Sequence, residues 1–278
     1  MPILRHIASL WSLREYPTAE TPWSVDQQLD AIKTAGFDGV TGRIDENIGK
    51  AAHQRELMVV GYVSSGNENE FQSLLEVQKA AGARHINVQL ADHDTPTDEA
   101  LRLVHLLFSA SERYSDIDLS IEVHRDTCTE TPEKAYALAD AYEADTGRLL
   151  PITWDFSHFA VVKHLAPADF SARLLSRPNL IRHSCQFHFR PFNGHHCQVP
   201  VTQPDGQLSR ELLAWLPFAK DALRLWLENN RESNREILIV PEMGPVSSGY
   251  NLEQLPNSWE DVIRLRRILA DLWRSLTS

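Results

Sequence analysis

Positive charge is in short supply in this chain. Its 27 Lys and Arg stand against 38 Asp and Glu, a net charge of −11 with the histidines neutral. Gripping nucleic acid by its phosphates takes clustered Lys and Arg that displace counterions, so that class of partner is disfavoured. Cysteine is scarce as well. Cys128, Cys185 and Cys197 include no Cys-x-x-Cys pair and cannot build a disulfide framework, so a reducing compartment is the simplest expectation. Long apolar runs are missing: nothing approaches the roughly 18 residues of a membrane span. Met1–Leu13, where Arg5 is followed by His6, has no run long enough for a signal sequence. No glycine-rich phosphate turn follows Leu10, and no Pro/Gly/Ser linker divides the chain. The expectation is one soluble, acidic, cytoplasmic domain over residues 1–278, with neither a membrane nor a nucleic acid as partner.

What the chain has in quantity is alternation. Apolar, β-rich runs fall at Ile3–Leu10, Phe37–Val40, Leu57–Val63, His85–Leu90, Ile117–Val123, Leu150–Phe156, Leu180–Phe189 and Ile237–Val240, with helix-length amphipathic segments between them. Eight runs in 278 residues make about 35 residues per repeat, the size of one strand–helix unit. Thr131 and Pro132 form an N-cap with proline at the first helical position, and Ala135, Leu138, Ala139 and Tyr142 then share one face. Ser258–Asp261 resembles a capping box, with Val262, Leu265, Leu269 and Leu272 as the buried stripe behind it. Trp215, Trp226, Trp259 and Trp273 lie in such stripes, where packing or a subunit contact accounts for them. Eight strand–helix repeats predict an α/β fold, a single-domain (β/α)8 TIM barrel, over the rival doubly wound open sheet. Pro191–Gln207, with three prolines and two glycines, reads as a long loop after the seventh strand.

In such a barrel the chemistry sits where strands end, and the last four strands each end in a metal-ligating residue. The fifth closes on Glu122 and His124 and the sixth on Asp155, with His158 just beyond. The seventh closes on Gln186, His188 and Arg190, and the eighth on Glu242. Alternation along a strand puts Glu122 with His124 on one face, and Gln186, His188 and Arg190 on another. The intervals from Glu122 to Asp155 and from Asp155 to His188 are both 33 residues, so the groups stand at matched height around the mouth. Three carboxylates converging there repel one another unless a cation neutralises them. Glu122, Asp155, His188 and Glu242 therefore form a candidate site for one divalent metal, with Mn, Mg, Co, Fe and Zn all open. Arg190 presents a planar fork that suits a substrate carboxylate or phosphate, the alternative being a salt bridge to a neighbouring acid. His124 either hydrogen-bonds a substrate or a ligand carboxylate or is a purely structural histidine. His195, His196 and Cys197 on the long loop are either a second metal or substrate contact or a plain exposed loop. His6, Trp11, Gln89 and His93 are expected in core or loop roles.

These segments resemble the xylose isomerase-like TIM barrels, the sugar phosphate isomerase/epimerase superfamily. Glu122–His124 is similar to the family's Glu-x-His segment, and Trp154–His158 resembles its Asp-x-x-His motif. Phe187–Arg190 resembles the His-x-His-x-Lys segment, and Pro241–Gly244 the closing strand. The architecture is shared over nearly the whole chain, the motifs only over the last four strands. Two positions depart: Gln186 replaces the first histidine of His-x-His, and Arg190-Pro191 replaces Lys-Asp. The resemblance implies Glu122, Asp155, His188 and Glu242 as ligands and His158 as a substrate contact. It also implies Glu122 and Glu242 as the paired acid and base of proton transfer through an enediolate. The expected substrate is a small sugar or polyol-like carbonyl compound, and the expected assembly a homo-oligomer. The alternatives are an inosose-dehydratase-like lyase, an endonuclease IV-type nuclease and a noncatalytic sugar-binding barrel.

Overall fold

Eight parallel strands pair in sequence order and close into a barrel in the computed structural model, which describes residues 1–245, 247 and 258–278. They are β1 (Ile3–Ser9), β2 (Gly39–Thr41), β3 (Met58–Ser65), β4 (His85–Leu90), β5 (Asp118–Glu122), β6 (Ile152–Trp154), β7 (Gln186–His188) and β8 (Glu236–Val240). Closure runs from Ile3 beside Glu236 to His6 beside Ile239. The helices are α1 (Val25–Thr34), α2 (Glu46–Gln54), α3 (Phe71–Ala80), α4 (Thr97–Ser111), α5 (Pro132–Thr146), α6 (Phe156–Val162), α7 (Phe170–Leu174), α8 (Pro178–His183), α9 (Arg210–Asn230) and α10 (Ser258–Thr277). This is the expected single-domain (β/α)8 TIM barrel.

Local chemistry sets the helix ends. Ser24 and Gln27 make a reciprocal capping box at α1, and the Asp45 carboxylate accepts from the Ile48 amide at α2. Thr131 caps α5 ahead of Pro132, and Gly147 ends that helix with a φ of 69°, the left-handed conformation that costs glycine least. Strand alternation divides the core in two. Ile7, Val60, Leu238 and Val240, with Met58, fill the barrel interior. Ala8, Val40, Val59, Ile86, Val88 and Ile239 belong to the larger core shared with the helices. Gly39 makes room inside, because a Cβ there would stand 2.3 Å from Met58 Cγ.

The expected strand Leu180–Phe189 divides in two. Its first part is helical, as α8, and only Gln186–His188 pairs as β7. Pro178 opens that helix at a position where its missing N–H costs nothing, and the consecutive buried residues Leu180 and Ile181 serve a helix packed on α9. Asp261 also differs from expectation: its carboxylate accepts from the amide of Val201 at 2.7 Å, tying α10 to the long loop. Pro191–Gln207 is the predicted loop, with one bridge between Thr202 and Leu208 at its end. Among the described residues no helix is long and apolar enough to cross a membrane.

Candidate metal centre

Each interior row of β5 to β8 ends at the mouth in a side chain able to ligate a metal. Glu122 follows Ser120 on β5, Asp155 follows Thr153 on β6, His188 follows Gln186 on β7, and Glu242 lies two residues beyond Val240. One ligand atom from each of Glu122, Asp155, His188 and Glu242 lies within 4.8 Å of all the others. Opposite ligands of an octahedral ion at about 2.1 Å stand about 4.2 Å apart, so the cluster is close to a coordination cage.

Neighbouring side chains fix each member. The Asn87 amide on β4 donates to Glu122 Oε2 at 2.6 Å. Asp155 doubles as the N-cap of α6: its Oδ1 accepts from the Ser157 amide at 3.0 Å and from the Ser157 hydroxyl. His188 Nδ1 stands 3.0 Å from Glu122 Oε1 and 3.3 Å from Glu242 Oε2. Yet Nδ1 and Glu122 Oε1 are both buried without an aligned hydrogen bond, as expected of two donor atoms aimed at a shared third point. The other ring nitrogen, Nε2, lies 3.2 Å from the Gln186 amide nitrogen, while the Gln186 oxygen is buried and unpartnered. The same amide turned over would accept from Nε2–H and leave the Nδ1 lone pair free, the tautomer a metal ligand needs.

Charge explains how three acids share one buried site. Burial pushes the Glu122 carboxyl up, but His188, His124 and the Asn87 hydrogen bond outweigh it and hold the group at about 2. Burial likewise opposes ionisation of Asp155 and Glu242. Arg190 and His158 hold Asp155 well below its ordinary value, and His188 with Arg190 lowers Glu242. His188 is raised well above its ordinary value, because Glu242 and Glu122 overcome its burial. With His188 neutral, three carboxylates and the Arg190 guanidinium leave two negative charges uncovered, which one divalent cation would balance. The donor set and charge fit such an ion.

The remaining expected residues are placed as follows. Arg190 is buried and engaged by protein. Its Nη2 donates to Asp155 Oδ2, Nε to the Ser157 hydroxyl at 3.3 Å, and Nη1 to the Glu242 carbonyl at 3.2 Å. The guanidinium drawn in the sequence as a clamp for a substrate anion thus has the salt bridge that was its alternative. His158 is buried, its Nε2 3.3 Å from Asp155 Oδ2 and its Nδ1 3.6 Å from the Cys197 sulfur. His124 is half-buried, packs edge-on against His158 at 4.4 Å, and has Nδ1 2.6 Å from the Arg125 carbonyl oxygen. Burial lowers its pKa, against the pull of Glu122. Of the loop trio only Cys197 reaches this centre. His195 and His196 are exposed, their amides held by the Asn193 side chain. Among the described residues the loop forms no second metal cluster.

Sequence reading passed over Asn87, Ser157, Tyr62 and Gln198. The Tyr62 hydroxyl on β3 donates to Gln89 Oε1 at 2.8 Å, and burial, with Glu122 and Glu242 adding to it, raises its pKa. Polar residues at alternate positions of β4, Asn87 and Gln89, were the available signal. Gln198 holds Gly244, two residues past Glu242, by donating to its carbonyl at 3.1 Å and accepting from its amide at 2.8 Å. Two surface clefts, of about 540 and 340 Å³, lie on the α1–α10 flank and beside Arg182 and Arg235, and neither is lined by the cluster.

No protein-family model matches the sequence, and no curated protein matches it. Solved structures match its fold. A xylose isomerase-like TIM barrel protein from Mycobacterium smegmatis, in complex with magnesium, gives a TM-score of 0.62 at 14% identity, over 98% of this chain and 97% of that one. The probable 3-DHS dehydratase AsbF from Bacillus anthracis gives 0.56 at 14% identity, over 96% of this chain and 98% of that one. Endonuclease IV from Thermus thermophilus gives 0.53 at 13% identity, over 96% of this chain and 99% of that one. At these identities the likeness is one of fold alone. The chain has the eight-stranded parallel barrel of the xylose isomerase-like proteins, with a possible metal site at its mouth.

Proposed function

We propose that this protein is a divalent-metal-dependent isomerase or epimerase, which moves a carbon-bound proton beside the carbonyl of a small sugar or polyol-like compound. The observation that carries the reading is the cluster of three carboxylates and one imidazole at the ends of four consecutive strands. Glu122, Asp155, His188 and Glu242 would hold the ion. When bound, a divalent cation supplies Lewis-acid polarisation of a substrate oxygen and so acidifies the neighbouring C–H bond.

The chain supplies the proton carriers, Glu122 and Glu242. Glu242 is the open one: its side chain is 19% exposed against 1% for Glu122. A substrate entering from the mouth meets that carboxylate first. Glu122, held by Asn87, is the more rigid partner for the return of the proton. His124 and His158 orient substrate oxygens, directly or through each other. General acid–base groups contribute about 10²–10⁴-fold each, so Glu242→Gln should cut turnover by at least about a hundredfold. Assay against a panel of aldoses, ketoses and keto acids in D₂O should show deuterium at the carbon next to the carbonyl. Metal occupancy measured on the same samples separates lost chemistry from lost metal. Turnover with full retention of the original hydrogen would indicate a hydride shift and sink the proton-transfer reading.

A dehydratase is the second reading, supported by the fold likeness to the Bacillus anthracis protein. It shares the first proton abstraction and then expels a β-hydroxyl, so a product lighter by one water distinguishes it. A nuclease is opposed by the net charge of −11 and by a single four-ligand cluster among the described residues.

A further inference from the structure

The position two residues past His188 carries a cation inside the carboxylate cluster, and its contacts define what it does. Arg190 spans the ends of β6 and β8. On one side Nη2 donates to Asp155 Oδ2 and Nε to the Ser157 hydroxyl at 3.3 Å. On the other Nη1 donates to the Glu242 carbonyl at 3.2 Å and lies 3.8 Å from the Glu242 carboxylate. His158 Nε2 is 3.4 Å from Nη2. The side chain is 3% exposed, so little of it is left for a ligand arriving from solvent. Both Asp155 oxygens are committed, one to Ser157 and one to Arg190.

We propose that Arg190 is a resident cation of this site, which keeps the three carboxylates assembled without a metal and moderates the affinity for one. The proposal rests on the reading that the cluster takes a divalent ion. An ion bound by Asp155 and Glu242 sits beside the guanidinium and competes with it for Asp155. Like charges at such separations in a poorly screened interior repel strongly. In exchange the metal-free site is preformed, because the guanidinium covers a carboxylate charge that would otherwise be buried alone. A substrate clamp at this position would leave metal affinity unchanged, and a residue that merely aims Asp155 at the metal would raise it. A resident cation lowers it.

The test compares wild type with Arg190→Met and Arg190→Lys, stripped with EDTA, by thermal melting and by calorimetric titration with Mn²⁺. Arg190→Met should melt roughly 5–15 °C below wild type in EDTA, the effect of leaving one buried charge unpaired in a chain of this size. It should bind Mn²⁺ at least about tenfold more tightly, and Arg190→Lys should stay nearer wild type in both. Since Arg190→Met can fail to fold, Arg190→Met/Asp155→Asn provides the second arm. Removing the uncovered carboxylate should recover stability over the single variant, and no recovery overturns the proposal. Unchanged or weaker Mn²⁺ binding by Arg190→Met, with wild type binding normally, overturns the proposal and leaves the metal reading intact. Absence of Mn²⁺ binding in both proteins overturns the metal reading and the affinity claim with it.

Discussion

His6 and His188 are both buried, and their surroundings drive them in opposite directions. His188 gains charge from Glu242 and Glu122. Neither ring nitrogen of His6, on β1, has a hydrogen-bond partner among the described residues, and burial, with Arg266 nearby, lowers its pKa to about 3. The unfolded chain binds a proton at His6 near the ordinary value of 6.5, while the folded one resists until about pH 3. Between those values the unfolded state holds more protons, so stability rises with pH and is lost as pH falls. The loss approaches about 1.4 kcal/mol per pH unit, or about 2 kcal/mol between pH 7.5 and 5. Replacing His6 by leucine should flatten that part of the acid limb, as read by urea unfolding at pH 7.5 and 5. An identical pH slope in the variant would assign the loss to other groups.

At the scale of elements, legibility depended on whether the signal was local. Thr131-Pro132 and the stripe from Ala135 to Tyr142 declared α5 because capping and helical spacing act within a few residues. The clustering of Glu122, Asp155, His188 and Glu242 was legible for a similar reason, since alternation along a strand and equal intervals between strands are both properties of sequence. Leu180–Phe189 misled because a short apolar run is equally compatible with a strand and with a buried helix, and only packing on α9 decides. Contacts between distant elements were illegible, and Gly244 is the clearest. A Cβ there would stand 2.1 Å from the Trp11 ring, in the turn after β1, while Gln198 holds its backbone from the long loop. Three elements thus converge two residues beyond Glu242. Gly244→Ala should cost about 1–3 kcal/mol by overpacking, with loss of metal affinity as Glu242 is displaced. Trp11→Ala/Gly244→Ala should regain part of both. Calorimetric metal titration with melting curves reads the pair, and a fully tolerated Gly244→Ala would show that Trp11 moves aside freely.

For the whole molecule, what matters is that the four candidate ligands come from four adjacent strands, β5 through β8. That is half of a closed sheet whose other half carries none of them. An ion bound there links strands that otherwise meet through short registers, two paired positions between β5 and β6 and two between β6 and β7. It also removes the repulsion among three clustered acids, so its effect should reach the whole barrel as one cooperative unit. A ligand that binds only the folded state stabilises it by about 2.7 kcal/mol at a hundred times its dissociation constant. For a chain of this size that is a rise of roughly 5–10 °C in melting temperature. Excess Mn²⁺ should therefore shift the entire transition upward relative to EDTA, without splitting it in two. His188→Ala removes the imidazole ligand and leaves two carboxylates without their neighbour, so it should melt lower in EDTA and lose most of the Mn²⁺ shift. Asp155→Asn keeps the N-cap oxygen of α6 but weakens the donor, so its shift should be intermediate. Superimposable curves with and without Mn²⁺ in the wild type, at concentrations where elemental analysis finds no bound ion, would mean that Arg190 and His188 are the only cations this cluster holds.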